Sequence, residues 1–436
     1  MQQTLLDIDL RTLNLKHPPL FNKDDHSKYV NDWRGQYKGQ AAAILKPINT
    51  EEVSAILRFA HKNNVDVVPQ GGNTSLCGAA TPDNSGRSII ISLEKMNNIR
   101  QFNKAAQTIT VESGMVLSQI HRIVENENLF FPLSLGAQGS CMIGGNLSTN
   151  AGGVNVLKYG NTRELCLGLE VVLPDGKIMN LLSELKKDNT GYDLKNIFIG
   201  AEGTLGIITA ATLKLFQLPK MISTLFVEAD SISNAIKLLN VFKSYFPDRI
   251  ESFELMPKVF WEVAKNNIEK IILPLENTPE MGVLIDISSY SKDDTSPNEE
   301  GEIPIIKTIE NVLEECFEKG LISDATICKN ENQSKSLWSI REAAAESEKK
   351  ELEKSDLIKC LKHDISLPVE SIDEFHNDAQ NMISNFLPEL KTIYFGHLGD
   401  GNLHYNIFGN GSLPDGFKGN SIELTNKLYE IVHKYN

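Results

Sequence analysis

Pro132-Leu133-Ser134-Leu135-Gly136-Ala137-Gln138-Gly139-Ser140-Cys141-Met142-Ile143-Gly144-Gly145-Asn146-Leu147-Ser148-Thr149-Asn150-Ala151-Gly152-Gly153 is the stretch on which the reading of this chain turns. Glycine, serine, threonine and asparagine carry too little side-chain volume to fill a core. Glycine also removes the Cβ that keeps a ligand off the main chain. A large flat ligand lying against the backbone accounts for this composition. Two further Gly-rich segments lie on either side. Pro69-Gln70-Gly71-Gly72-Asn73-Thr74-Ser75-Leu76-Cys77-Gly78 follows the apolar run Val65–Pro69. Gly200-Ala201-Glu202-Gly203-Thr204-Leu205-Gly206-Ile207-Ile208-Thr209 leads into an apolar strand. In the first of these, adjacent glycines let N–H groups converge on a concavity, and Asn73, Thr74 and Ser75 add donors for phosphate oxygens. A tight turn with polar caps reads that segment equally well on its own. Neither a Rossmann nor a P-loop spacing is present in it.

The chain has 436 residues, 43 of them Lys or Arg and 57 Asp or Glu, for a formal net charge of −14. That balance argues against a nucleic-acid partner and a polybasic membrane anchor. The length sets a prior of about two to three domains. No apolar run reaches the ~18 residues of a membrane-spanning helix. Met1–Asp7 lacks a basic region before an apolar stretch, so no secretory leader is read. Six cysteines, at 77, 141, 166, 316, 328 and 360, form no CxxC and read as free thiols. The expected location is the cytoplasm, or the inner face of a membrane as a peripheral protein.

The hydrophobic pattern predicts an α+β chain. A helix from Asn49 to His61, capped by Thr50, precedes strands at 65–69, 89–93 and 108–112, a helix at 118–128, and a hairpin turning at Asp175-Gly176. Beyond Pro219 the pattern predicts strand 224–227, helices 232–246 and 253–266, strand 282–288, helix 302–319, strand 322–327, helix 333–353, strand 358–367, helix 369–386, two strands about 399–402, and a final helix 421–434. Alternation of this kind suggests a sheet with helices on one face.

Phe395-Gly396-His397-Leu398-Gly399-Asp400-Gly401-Asn402-Leu403-His404-Tyr405-Asn406-Ile407 carries the chemistry most open to geometry. A two-residue turn at Asp400-Gly401 sets His397 opposite His404, with Asn406 on the same face. Two facing imidazoles can chelate a divalent metal. A pair of buried, hydrogen-bonded histidines is the alternative.

The three Gly-rich segments together resemble the flavin-binding signature of the FAD-linked oxidase family with the vanillyl-alcohol-oxidase fold. The nearest branch comprises D-2-hydroxyglutarate dehydrogenases, D-lactate dehydrogenases and glycolate oxidase flavin subunits. The resemblance implies a two-subdomain FAD-binding domain of the PCMH type over residues 1–219, and an α+β, ferredoxin-like cap over 220–436 that presents substrate and metal groups. It assigns the cofactor to Pro69, Gly71, Gly72, Asn73, Thr74, Ser75 and Gly78; to Pro132, Gly136, Gly139, Ser140, Gly144, Gly145, Asn146, Thr149, Asn150, Gly152 and Gly153; and to Glu202, Gly203, Gly206 and Ile207. Relatives that bind flavin covalently carry His where Asn73 stands, so non-covalent FAD is expected. Cys141 reads as a small packing residue.

HxGDGNxHxN resembles the family's metal segment, with His397 and His404 as ligands of zinc or manganese and Asn406 in the site. Leu337-Trp338-Ser339-Ile340-Arg341-Glu342 resembles the helix whose Arg grips the substrate carboxylate, and Lys362 matches the family's second cation. Without the resemblance, Arg341 beside Glu342 reads as a surface ion pair. Ala345 replaces a substrate-contacting Thr of the hydroxyglutarate branch, and the Arg341–Lys362 spacing is longer than that branch has. Family members also carry a terminal Glu-His-Gly segment that completes the metal site. It is absent before Asn436, so a shortened cap is expected.

The resemblance implies oxidation of a D-2-hydroxy acid, hydroxyglutarate-like, to the 2-oxo acid. Arg341 and Lys362 would hold carboxylates, His404 or the His of the absent terminal segment would take the hydroxyl proton, and a hydride would pass to flavin. Electrons would leave to an electron-transfer flavoprotein, a quinone or a cytochrome; a homodimer is compatible. The alternatives are D-lactate or glycolate oxidation, the non-redox alkylglycerone-phosphate synthase class, and an inactive FAD-binding homologue.

Overall fold

The computed structural model describes residues 10–33, 35–269, 271–354, 359–409 and 417–436. Met1–Asp7, read above for a leader, and Ile358, the expected start of a strand, lie outside the described residues. Two compact units divide the chain: Met1–Gly153 with Tyr159–Leu218, and Val154–Lys158 with Pro219–Asn436.

In the first unit, strands β1 (Ala43–Leu45), β2 (Val67–Gln70) and β3 (Ile89–Ser92) pair in parallel in the order β1-β3-β2. β1 and β3 are buried throughout, as parallel strands covered on both faces must be. The helix Thr50–Asn63 connects β1 to β2. Asn49, rather than Thr50, caps it, accepting from the Glu52 N–H at 2.9 Å. The Thr50 hydroxyl instead donates to Glu170 at 2.5 Å.

The second sheet of this unit is antiparallel. β4 (Ile99–Asn103), β5 (Thr108–Glu112), β7 (Cys166–Val172), β8 (Ile178–Leu181) and β9 (Ile207–Lys214) run in the order β4-β5-β9-β7-β8. Two short strands, β6 (Leu129–Phe130) and β10 (Phe216–Gln217), pair separately. The sequence reading missed β1, β4, β6 and β10, which are short or largely polar. Buried Glu170 on β7 is held by Thr50, Thr209 (2.8 Å) and Arg100 (2.8 Å). Burial pushes its carboxyl up, and these hydrogen bonds and the Arg100 charge outweigh that and lower it.

The second unit is built on one seven-stranded sheet with every neighbour antiparallel. Its strands are β11 (Met221–Ala229), β12 (Ile250–Pro257), β13 (Met281–Ser289), β14 (Ile322–Ile327), β15 (Lys359–Ser366), β16 (Lys391–His397) and β17 (Asn402–Gly409), in the order β14-β11-β13-β12-β16-β17-β15. Helices cover both faces, not one. On the first, Ile232–Tyr245, Pro304–Glu318, Ile372–Phe386 and Phe417–Tyr435 pack on Leu225, Val227, Leu255, Ile285 and Tyr405. On the second, Lys258–Asn267, Glu331–Glu342 and Ala344–Lys354 pack on Phe226, Met256, Leu284 and Phe395.

The expected helix 253–266 is a strand followed by a helix. All eight residues of β12 are buried, and Pro257 opens the helix Lys258–Asn267. Burial on both faces erases the alternation that marks a strand. The expected helix 333–353 is likewise two helices, broken at Ala343. Lys158 ties the Val154–Lys158 segment to this sheet: its buried ammonium meets Glu251 (3.1 Å), Ser288 (2.5 Å) and Tyr290 (2.6 Å).

Candidate active site

In the first unit the three Gly-rich segments meet. Gly200 and Glu202 donate their N–H groups to the Leu147 and Ser148 carbonyls at 3.0 and 2.8 Å. A Cβ on Gly72 would lie 2.2 Å from the Ser140 carbonyl, and one on Gly203 would lie 2.4 Å from the Pro69 ring. Gly78, Gly144, Gly153 and Gly206 are similarly required by the protein's own packing, against Tyr37, Ser113, Ser134 and Val171. Gly136, Gly139 and Gly145 differ: a Cβ there would meet nothing within 4 Å. Internal packing does not require glycine at these three, which leaves room for a ligand against the main chain. Among the described residues, none accepts a hydrogen bond from the N–H groups of Gly71, Gly72, Asn73 or Thr74, which suits an anion. The carbonyl oxygen of the Asn146 side chain is buried and unpartnered. These features fit a cofactor carrying a pyrophosphate and a flat ring.

Several other assigned residues act on the protein itself. Asn73, at φ 53°, donates to the carbonyls of Lys28 and Asn31 at 3.2 and 2.8 Å. Asn150 accepts from the Arg163 N–H, and Thr149 donates to the Gly145 carbonyl, both at 3.0 Å. The Ser75 hydroxyl accepts from the Cys77 N–H at 3.3 Å. Gly152 is exposed, Pro132 and Ile207 are buried, and Thr74 is half-buried in the first loop. Cys141 is a buried packing residue whose thiol burial pushes up.

In the second unit a polar patch lies within the second face of the sheet. The turn between β16 and β17 is four residues, Leu398–Gly401, not two, with Gly401 at φ 83°. His397 therefore pairs with Asn402 and His404 with Phe395, two residues off the expected register. A shift of two preserves the face. The two rings still meet, with centroids 5.6 Å apart. The β15–β17 register adds Asp364 opposite His404 and Lys362 opposite Asn406.

Glu254, in the middle of β12, is fully buried and was missed from sequence. It joins two expected site residues: His397 Nδ1 lies 2.5 Å from one carboxylate oxygen, and Arg341 Nε donates to the other at 2.8 Å. Burial works to raise the Glu254 carboxyl, but the charges and hydrogen bonds of His397 and Arg341 hold it down to about 2. For His397, burial opposes the imidazolium and Glu254 overcomes it, so the pKa rises. Arg341 is buried, stacks over Phe395 at 5.0 Å, and is no surface ion pair. Its Nη2 is 2.7 Å from Glu254 but misaligned, leaving that nitrogen without a hydrogen bond.

His404 Nδ1 faces Asp364 at 3.4 Å, and Asn402 donates to the same carboxylate at 2.7 Å. Both histidines thus set Nδ1 toward a carboxylate, the arrangement that frees Nε2 for a metal. Among the described residues no group of three His, Cys, Asp or Glu side chains forms a metal site. Lys362 and Asn406 both donate to buried Glu348, at 2.9 and 3.2 Å. Asp286 on β13 accepts from Thr224 (2.5 Å) and Trp338 (2.9 Å); burial and the nearby Glu251 and Glu254 charges push its carboxyl up to about 7.

The FAD binding domain family matches residues 41–182, and the C-terminal domain of FAD linked oxidases matches 218–434. A putative mitochondrial D-lactate dehydrogenase of Schizosaccharomyces pombe is 35% identical over 86% of this chain and 70% of its own. The chain belongs to the FAD-linked oxidase family. A D-2-hydroxyglutarate–pyruvate transhydrogenase of Saccharomyces cerevisiae is 34% identical over 88% of this chain and 75% of its own. Mitochondrial D-2-hydroxyglutarate dehydrogenase of Arabidopsis thaliana is 35% identical over 93% of this chain, which spans 66% of that protein's length. Among solved structures, an alkyldihydroxyacetonephosphate synthase superposes with a TM-score of 0.75 at 17% identity, covering 98% of this chain and 79% of its own. Substrate-bound p-cresol methylhydroxylase gives 0.70 at 12%, covering 99% and 87%. The fold of this FAD-linked oxidase is therefore the one expected from its Gly-rich segments. No helix among the described residues is long and apolar enough to cross a membrane.

Proposed function

We propose that this FAD-linked oxidase is a dehydrogenase that converts a D-2-hydroxy acid to its 2-oxo acid. The observation that carries the reading is Glu254, which holds Arg341 and His397 side by side on the face that also bears His404. FAD, when bound by the Gly-rich segments, supplies the two-electron acceptor for the hydride.

Arg341 is the carboxylate anchor. Glu254 fixes its guanidinium through Nε and lies 2.7 Å from Nη2, and the planar fork of an arginine suits a carboxylate. His404 takes the hydroxyl proton, oriented by Asp364 at Nδ1. His404 acts as base only through a free Nε2; were a divalent cation, zinc or manganese, held by the Nε2 atoms of His397 and His404, His404 would be a ligand instead of the base and the ion would polarise the hydroxyl. Two imidazoles leave the rest of its coordination to substrate and water. Asn406 and Lys362 line the same face. An electron-transfer flavoprotein, a quinone or a cytochrome would reoxidise the flavin.

The test is the visible spectrum of the FAD-loaded protein with D-2-hydroxy acids under anaerobic conditions. Bleaching by a D-acid and not its L-isomer is expected. A spectrum unmoved by any such acid overturns the proposal and favours the non-redox or inactive readings.

A further inference from the structure

The helix Glu331–Glu342 turns three polar side chains to the sheet: Ser334, Trp338 and Arg341, spaced four and three residues apart and so on one helix face. Each meets a different strand, and the three strands β11, β13 and β12 are consecutive neighbours. Ser334 Oγ lies 2.7 Å from Thr224 Oγ1 on β11, Trp338 Nε1 donates to Asp286 on β13 at 2.9 Å, and Arg341 Nε donates to Glu254 on β12 at 2.8 Å. Thr224 donates to the other Asp286 oxygen at 2.5 Å, so its own oxygen accepts from Ser334. Asp286 therefore ties the first two contacts together and stands beside the third. Its cross-strand partner is Ser252, two residues before Glu254 on the same face of β12. The ion pairs nearby leave Asp286 out, with Lys158 on Glu251 and Arg341 on Glu254. Its carboxyl is spent on the helix and on Thr224.

We infer that Asp286 is a positioning residue for the reaction: through Trp338 it seats the helix that sets Arg341 on Glu254. The inference rests on the dehydrogenase reading, in which Arg341 anchors the substrate carboxylate. Trp338 and Arg341 are one turn apart, so a displacement of the helix at one is carried to the other. Arg341 is buried, paired with Glu254 and stacked over Phe395. Its guanidinium has little freedom of its own, and the helix decides where it lies. Leu337 and Ile340 hold the helix to the sheet by apolar contact, which has no direction. The bond to Asp286 is directional, so it fixes the rotation of the helix and its place along the strands. Misplacing such an anchor by about 1 Å can cost about 100-fold in rate.

The experiment is a double-mutant cycle of Asp286→Ala and Trp338→Phe in the FAD-loaded protein, with Asp286→Asn beside it. It is read as kcat/KM for a D-2-hydroxy acid that bleaches the flavin. Each single variant should lose about tenfold or more, and the double variant no more than the worse single one, because both remove the same bond. Asp286→Asn keeps an acceptor for Trp338 and should stay within about threefold of wild type, which a loss of packing alone would not produce. Losses that add, or an Asp286→Ala protein that folds and turns over like wild type, overturn the inference. If Asp286→Ala does not fold, Trp338→Phe decides, and full turnover by it overturns the inference. Trp338 is one of three tryptophans, and subtracting the Trp338→Phe spectrum isolates its emission. That emission should shift to the red in Asp286→Ala and stay put in Asp286→Asn. If no acid bleaches the flavin but the emission behaves so, Asp286 seats the helix and only the dehydrogenase reading falls. An emission that Asp286→Ala leaves unmoved overturns the inference whatever the turnover.

Discussion

Glu254 and Asp286 sit on neighbouring strands of one sheet, and their surroundings push their carboxyl groups in opposite directions. Two cationic partners hold Glu254 ionised. Removing its charge leaves Arg341 buried and unpaired, so Glu254→Gln should cost on the order of 3 kcal/mol of stability in urea denaturation. It should also lower turnover, because Arg341 and His397 lose their common anchor. Among the described residues Asp286 receives only neutral donors, Thr224 and Trp338. Its carboxyl is raised to about 7, above an unfolded value near 3.9. Between those two pH values the folded protein keeps a proton that the unfolded chain has released. Stability therefore falls as pH rises through that window, and the loss is complete above about 7. Asn at 286 can accept from Trp338 and donate to Thr224, whose hydroxyl can turn to Ser334 at 2.7 Å. Asp286→Asn should thus be more stable than wild type at pH 8, by on the order of 2 kcal/mol and with a higher Tm, and little different at pH 4. An equal gain at both would show that Asp286 is ionised throughout.

At the scale of elements, the Gly-rich segments contain glycines of two kinds. Gly72 is required by contact with Ser140, so Gly72→Ala should lower the Tm of the FAD-free protein. Gly145 lies in the helix Ile143–Ser148 with open space where its side chain would be. Gly145→Ala should keep or raise that Tm, since Ala stabilises a helix by about 1 kcal/mol over Gly. It should also weaken FAD binding at least tenfold, measured by flavin fluorescence. Undiminished FAD affinity would remove Gly145 from the cofactor site. The β16–β17 hairpin shows how an element forgives a local error. The turn is longer than expected, but a two-residue shift keeps His397 and His404 on one face. His404→Ala should then lower turnover at least a hundredfold with FAD content unchanged, and full turnover would exclude His404 as the base.

At the scale of the molecule, each unit has its own apolar core. The residues assigned to FAD all lie in the first unit, and those assigned to substrate in the second. FAD at about 100 times its Kd should stabilise the unit that binds it by about 2.7 kcal/mol. In calorimetry that appears as a transition rising with FAD concentration, and a scan that FAD leaves unchanged would place the cofactor elsewhere. A hydroxy acid alone should not move that transition in FAD-free protein.

The sequence by itself determined the family, the Gly-rich flavin segments, most helices and the His hairpin. These are local patterns, in which spacing, turn residues and backbone freedom are written contiguously. It misread β12 as a helix, and with it lost Glu254, because a strand buried on both faces has no alternation to read. Only tertiary structure decided which charges meet. Arg341 and His397 share an anion from a strand far away in sequence, while Lys362 is paired with Glu348. A lone lysine and a lone arginine read alike as anion sites. Whether each is free for a ligand depends on the carboxylate that long-range packing brings beside it, which no local pattern encodes.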